Sequence, residues 1–262
     1  MTTPSTVLIT GASSGIGATY ADRFAKRGHA LVLVARDKER LESLANQLRE
    51  KYSVHVDVLQ ADLTQVSDLE TVEARLRNDD TIGVLINNAG AAQSGSFIEQ
   101  TGEQISQLIA LNITSLARLA GAAAHRFAQA GDGAIINLGS VVGLAPEFGA
   151  SVYGATKAFV QFLSQGLSLE LSSSNVYIQA VLPAATRTEI WERAGLDINT
   201  LPEVMEVDEL VDAALVGFDR RESVTIPPLF DESRWQTLQT SRQALLADLR
   251  QAHAAERYQT AQ

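Results

Sequence analysis

Seven short runs of β-branched and aliphatic residues, separated by longer stretches in which apolar residues recur at helical spacing, constrain this 262-residue chain more than any other feature. The runs lie near Thr6–Thr10, Ala30–Ala35, Val54–Gln60, Gly83–Asn87, Ala134–Leu138, Tyr177–Leu182 and Ser223–Ile226. Most lack the polar alternation of a strand with one wet face, so they need cover on both faces. Helical spacing falls near Ile16–Arg27, Lys38–Lys51, Ser67–Arg77, Glu103–Ala130, Val152–Ser172 and Asp208–Arg220. The alternation predicts an α/β fold: a doubly wound, mostly parallel seven-stranded sheet with helices on both faces. Asp37 is placed to cap the second helix and Gly28 to end the first. No repeat or Pro/Gly/Ser linker divides the chain, so one domain over residues 1–262 is expected.

Charge narrows the partners. Thirty-one acidic against 21 basic residues give a formal charge of −10, which repels phosphate backbones and anionic membranes. Neither a nucleic acid nor a membrane is an expected partner. The absence of cysteine excludes a disulfide framework, a thiolate metal site and a cysteine nucleophile. The first residues do not read as a signal peptide and no uninterrupted apolar run reaches about 18 residues, so a cytoplasmic location is expected.

The turn between the first strand and the first helix, Thr10-Gly11-Ala12-Ser13-Ser14-Gly15-Ile16-Gly17, holds three glycines. Glycines allow a backbone to approach a pyrophosphate, and the free N–H groups opening the helix supply donors and the positive end of a dipole. A dinucleotide site is one reading of this turn; an ordinary Gly-rich turn is the other. The spacing, G-x-x-x-G-x-G, is not the G-x-G-x-x-G fingerprint.

Thr10–Gly17 resembles the signature of the short-chain dehydrogenase/reductase family, and the later motifs extend the likeness along nearly the whole chain. Asn87-Asn88-Ala89-Gly90 follows the fourth strand; Asn112, Ser140 and Tyr153-Gly154-Ala155-Thr156-Lys157 come in the family's order and approximate spacing. The resemblance implies a Rossmann-like fold and a cofactor held by Gly11, Ser13, Ser14, Gly15, Ile16, Gly17, Asn88, Ala89, Gly90, Tyr153, Lys157, Pro183 and Thr188. It also implies that Asp62 contacts the adenine ring; helix capping is the alternative role of that carboxylate.

The second strand ends Val34-Ala35-Arg36-Asp37. An NAD enzyme places an acid at this strand end, about 20 residues beyond the glycines, to hold a ribose hydroxyl. Here that position is Ala35, and Arg36 follows. An arginine can make charge-assisted bonds to a 2′-phosphate, and in the resembling family this arrangement implies the NADP(H)-preferring branch. The alternative is that Arg36 pairs with Asp37 or Glu39.

Carbonyl reduction by hydride leaves an alkoxide, so a site for it needs a proton donor and a group that polarises the oxygen. Tyr153 and Lys157 lie one helical turn apart on one face, and a positive charge there favours the phenolate. Tyr-x-x-x-Lys alone is weak, since exposed aromatics beside solvated lysines are common. Its setting after Ser140, at the carboxyl edge of the sheet, strengthens it. The resemblance assigns substrate-oxygen binding to Ser140, proton donation to Tyr153, ribose binding and a lowered Tyr153 pKa to Lys157, and support of a helix kink to Asn112. The four histidines have no metal-ligand spacing, and no metal is expected. Ser140 lacks the G-x-S-x-G elbow of a hydrolase.

Leu182-Pro183-Ala184-Ala185-Thr186-Arg187-Thr188 matches the family's motif after the sixth strand, with Ala184 in place of its usual glycine. A methyl there would disturb the backbone if a positive φ were needed. The following stretch, about 189–206 with Ile190, Trp191, Leu196, Leu201 and Met205, corresponds to the family's variable substrate lid. Val142, Leu144, Pro146 and Phe148 are candidates for an opposite wall. The expected substrate is a hydrophobic or aromatic ketone or aldehyde, or the matching alcohol. A tail from Asp231 to Gln262 has nearly helical apolar spacing and is expected to pack on the domain or a neighbouring subunit; self-association as a dimer or tetramer is expected. Two other readings stand beside carbonyl reduction: a nucleotide-sugar epimerase or dehydratase, and an NADP(H)-sensing protein without turnover.

Overall fold

The computed structural model describes residues 5–93 and 95–258. The seven strands are β1 (Thr6–Thr10), β2 (Leu31–Ala35), β3 (Val56–Gln60), β4 (Ile82–Asn87), β5 (Gly133–Leu138), β6 (Val176–Val181) and β7 (Val224–Thr225). They form one sheet in the order β3-β2-β1-β4-β5-β6-β7, every pair parallel. The order reverses between β1 and β4, which opens a crevice beyond their carboxyl ends, where doubly wound folds bind ligands.

The helices are α1 (Gly15–Lys26), α2 (Lys38–Tyr52), α3 (Val66–Asn78), α4 (Gly102–Ile109), α5 (Leu116–Ala130), α6 (Ser151–Glu170), α7 (Ile190–Arg193), α8 (Val207–Asp219) and α9 (Glu232–Asp248). Alternate strand residues feed two cores because successive side chains point to opposite faces. Val7, Ile9, Leu31 and Leu33 pack with Tyr20, Phe24, Leu41, Leu48 and Leu215 of α1, α2 and α8. Leu8, Val32, Val34 and Leu85 pack with Leu69, Val72, Leu76, Leu119 and Phe127 of α3 and α5. Both faces are therefore dry, as the missing polar alternation requires.

Asp37 caps α2, its carboxylate accepting from Arg40 N at 3.0 Å, and Gly28 follows α1 at φ +85°. One expected helix is divided. The run over 103–130 contains a π-helical segment, Ala110–Ser115, between α4 and α5. A π segment this short has no sequence signature of its own, so the pattern does not reveal it. By length and composition the whole stretch Gly102–Ala130 would suffice to cross a membrane; Leu119, Ala123 and Phe127 instead lie in the core of this fold.

Residues up to Pro227 form one compact unit and those from Pro228 a second. The tail unit contains α9, as its spacing predicts, followed by a short 3₁₀ turn, Glu256–Tyr258.

Candidate active site

The glycine turn is built by close approach. Gly11 adopts φ +66°, a conformation costly for other residues. A Cβ on Gly17 would meet Gly11 O and stand 2.6 Å from Asn88 Nδ2. Asn88 donates to Thr10 O at 2.9 Å and to Gly11 O at 3.2 Å, while Thr10 Oγ1 accepts from the backbone N–H groups of Asn88 and Ala89, each at 3.0 Å. The ends of β1 and β4 are thus laced together on either side of the crevice. Both Asn88 amide contacts thus go to the turn itself. Thr10, the first residue of the motif, joins the two strand ends through its hydroxyl and carbonyl. Ser14 precedes the first turn of α1 with extended backbone, leaving the helix-opening N–H groups on the crevice side.

At the end of β2, the Arg36 guanidinium has no ion-pair or hydrogen-bond partner among the described residues. Pairing with Asp37 is ruled out as its role here, because that carboxylate serves Arg40 N and lies 3.4 Å from Arg40 Nε. A free arginine beside the crevice fits a 2′-phosphate. Asp62 does not cap α3, whose cap position is Gln65. It makes a turn instead, accepting from Thr64 N at 3.0 Å and Thr64 Oγ1 at 2.7 Å.

The chemistry-bearing groups meet at the carboxyl edge of β5. Ser140, buried, donates to Pro183 O at 3.2 Å and starts a short 3₁₀ turn by accepting from Val142 N at 3.3 Å. α6 carries Tyr153, Thr156 and Lys157. Lys157 Nζ donates to Leu138 O at 2.9 Å and lies 5.7 Å from the Tyr153 ring centre. Gly143 allows close packing here: a Cβ there would stand 2.6 Å from Ala158 N and Lys157 C, so the 3₁₀ turn and α6 touch backbone to backbone.

Burial sets the protonation. It pushes the Tyr153 phenol up to about 12, with the Ser140 hydroxyl pulling the other way, and it draws the Lys157 ammonium down to about 8. In the protein without cofactor, burial therefore outweighs any lowering of Tyr153 by Lys157. The phenol is held in its neutral, proton-donating form, and the lysine is charged near pH 7 but titrates just above it.

Asn112 sits in the π segment and is almost wholly buried. Its Oδ1 accepts from Ala91 N at 2.9 Å, and its Nδ2 donates to Ala91 O at 2.9 Å and Thr156 Oγ1 at 3.1 Å. Thr156 Oγ1 in turn donates to Tyr153 O at 2.7 Å. The π turn thereby aims one amide at both the loop after β4 and the helix bearing Tyr153 and Lys157. Gly90 belongs to the same cluster, with Asn112 Oδ1 at 3.3 Å and Lys157 Nζ at 3.6 Å from where a Cβ would stand.

Beyond β6, Ala184 is not among the positive-φ residues, so its methyl introduces no backbone strain. Thr188 approaches the glycine turn, its Cγ2 standing 3.1 Å from the position of a Cβ on Gly15. The lid is closed at its base: Arg187 N donates to Met205 O at 3.0 Å and Met205 N to Ala185 O at 2.9 Å. It contains α7 and a 3₁₀ turn, Ile198–Thr200, and Trp191 Nε1 donates to Thr186 O at 2.8 Å.

Comparison with known proteins agrees with this geometry. A family model described as short chain dehydrogenase matches residues 5–199. Very-long-chain 3-oxoacyl-CoA reductase-B of Danio rerio is 35% identical over 199 residues, 74% of this chain and 64% of that protein. The human very-long-chain 3-oxoacyl-CoA reductase is 30% identical over 187 residues, 70% of this chain and 60% of that protein. This chain thus spans less than two thirds of the length of these curated relatives. Among solved structures, a short-chain dehydrogenase from Sphingobium yanoikuyae in complex with NADPH is 70% identical, with a TM-score of 0.96 over 97% of this chain and all of that one. The bulky-bulky ketone specific alcohol dehydrogenase from Comamonas testosteroni, in its orthorhombic crystal form, is 62% identical, with a TM-score of 0.93 over 99% of this chain and all of that one.

Proposed function

Because the chain belongs to the short-chain dehydrogenase/reductase family, we propose that it is an NADP(H)-dependent carbonyl reductase, reversible to alcohol oxidation, acting on ketones with bulky apolar substituents. The observation that carries this reading is the half-buried Tyr153 with the buried Lys157 beside Ser140, at the carboxyl edge of β5. NADPH, when bound, supplies the hydride. Gly11, Ser13, Ser14, Gly15, Ile16 and Gly17 would cradle its diphosphate, and the unpaired Arg36 its 2′-phosphate. The 70% identical protein bound to NADPH supports that choice of cofactor.

In the proposed reaction Ser140 donates a hydrogen bond to the substrate carbonyl oxygen and Tyr153 gives that oxygen its proton. A phenol held neutral by burial is loaded for this step. Lys157, charged below about pH 8, steadies the phenolate left behind and binds the nicotinamide ribose. Asn112 is a positioning residue, acting through Thr156 and Ala91. Val142, Leu144, Phe148, Trp191 and Leu196 would offer apolar surface to the substrate, and likeness to the bulky-bulky ketone specific enzyme supports two large substituents on it.

Two further readings complete the proposal. Homo-oligomerisation, as a dimer or tetramer, is supported by Phe162 and Leu169 on α6, which are 80% and 78% exposed. Light scattering at micromolar protein tests it. A cytoplasmic location is carried forward from the sequence and is tested by cell fractionation. The catalytic reading is tested by following NADPH absorbance with a panel of aliphatic, aromatic and diaryl ketones. Turnover with NADPH in preference to NADH supports it. NADPH binding without any turnover would favour the sensing protein instead.

A further inference from the structure

The outer side of the cofactor crevice is bridged by an ion cluster that the motifs do not disclose. Arg40, in the first turn of α2, donates from Nη1 to both carboxylate oxygens of Glu189, at 2.9 and 2.8 Å, across 149 residues of sequence. Glu189 is the first lid residue after Thr188, and Thr188 rests on Gly15 in the diphosphate turn. Gly15, Thr188 and Glu189 line one surface depression. The Arg40–Glu189 pair therefore ties the start of α2 to the stretch that borders the glycine turn. Arg36, one position before the α2 cap, lies at the same corner with its guanidinium unpaired among the described residues. Asp37 Oδ2, 3.4 Å from Arg40 Nε, keeps Arg40 on this side.

Two basic side chains at the strand end match the needs of a phosphate monoester, which carries close to two negative charges and three acceptor oxygens. One of them already holds an anion. We propose that Glu189 is an internal competitor for Arg40: the lid carboxylate occupies the guanidinium in the free protein and yields it to the 2′-phosphate of NADP(H), making the Arg40–Glu189 pair a determinant of cofactor selectivity. The exchange is inexpensive because Glu189 keeps a second cation, Arg193 Nη2 at 2.6 Å, after Arg40 leaves. It is also reversible, since Arg40 and Glu189 are 50% and 41% exposed and exposed ion pairs are weak. The lid itself does not depend on the pair, being closed at its base by Arg187, Ala185 and Met205 and by an Arg187–Glu206 ion pair at 2.9 Å.

This inference rests on the NADP(H) reading, and the experiment separates the two. Dissociation constants for NADPH and NADH are measured by nicotinamide fluorescence titration on the wild type, Glu189→Gln, Arg40→Gln and the double variant. Glu189→Gln is expected to bind NADPH roughly two- to five-fold more tightly, the range an exposed ion pair commands, with NADH unchanged. Arg40→Gln is expected to weaken NADPH alone, and the double variant to match Arg40→Gln. Unchanged or weaker NADPH binding by Glu189→Gln overturns the proposal, as does an equal shift for both dinucleotides, which would make the pair a general clasp. A wild type that does not prefer NADPH removes the cofactor reading and this inference together; a preference that Glu189→Gln leaves untouched removes this inference alone.

Discussion

The Lys157 ammonium stands 5.7 Å from the centre of the Tyr153 ring and donates to the Leu138 carbonyl, which anchors it between the helix that carries the phenol and the strand that leads to Ser140. An ammonium buried with so little compensation is a cost to the fold, and that cost has a pH signature.

Lys157 has its pKa lowered to about 8 by burial, against 10.5 in an exposed lysine. Below pH 8 the folded and unfolded chains both hold the proton; between about 8 and 10.5 the unfolded chain holds more. Stability contributed at this site therefore rises with pH across that window. The difference in unfolding free energy between wild type and Lys157→Met, from urea titrations of the cofactor-free protein, is expected to shift in favour of wild type from pH 7.5 to 10, by up to roughly 3 kcal/mol. A flat difference would show that the lysine titrates normally.

Asn112 satisfies three groups with one buried amide. Asn112→Ala strands the Ala91 N–H and C=O and takes a donor from Thr156 Oγ1, and a loss of about 1–3 kcal/mol is expected in urea unfolding. Thr156→Val removes a smaller part of the same network and is expected to cost less. If Asn112→Ala unfolds like wild type, the π turn does not owe its anchoring to this side chain.

Gly17→Ala introduces a methyl against Gly11 O and 2.6 Å from Asn88 Nδ2. Neither neighbour can move without loosening the β1–β4 lacing through Thr10. The expected outcome is a loss of about 1–3 kcal/mol in stability together with NADPH binding at least ten-fold weaker, measured by calorimetric titration. Intact affinity would mean that the turn is not the diphosphate cradle.

The layers of the fold were legible because strands buried on both faces and helices buried on one leave distinct periods in the sequence, and the tail helix followed from the same spacing. What escaped was local or long-range. The π turn at Asn112 is a local change of hydrogen bonding with no sequence signature. Asp62 precedes α3 closely enough to look like its cap, yet it bonds Thr64 while Gln65 takes the cap position. The worry over Ala184 depended on a backbone angle that sequence does not carry. Ser140, Tyr153, Lys157 and Asn112 do gather at one strand edge; Thr10 and Thr156 lie inside the glycine and Tyr-x-x-x-Lys motifs, but nothing in the sequence shows that Thr10 ties β1 to β4 or that Thr156 ties Asn112 to Tyr153. Arg40 and Glu189 meet only because the lid folds back over the glycine turn.

Proton donation by Tyr153 is the central claim, and Tyr153→Phe tests it most directly, because the phenyl ring keeps the packing and removes only the hydroxyl. The measurement is turnover of a bulky aryl ketone with NADPH at pH 7, beside NADPH affinity for both proteins. The account predicts kcat lowered by about 10²–10⁴-fold with NADPH affinity within a few-fold of wild type; a variant that turns over as fast as wild type would contradict it.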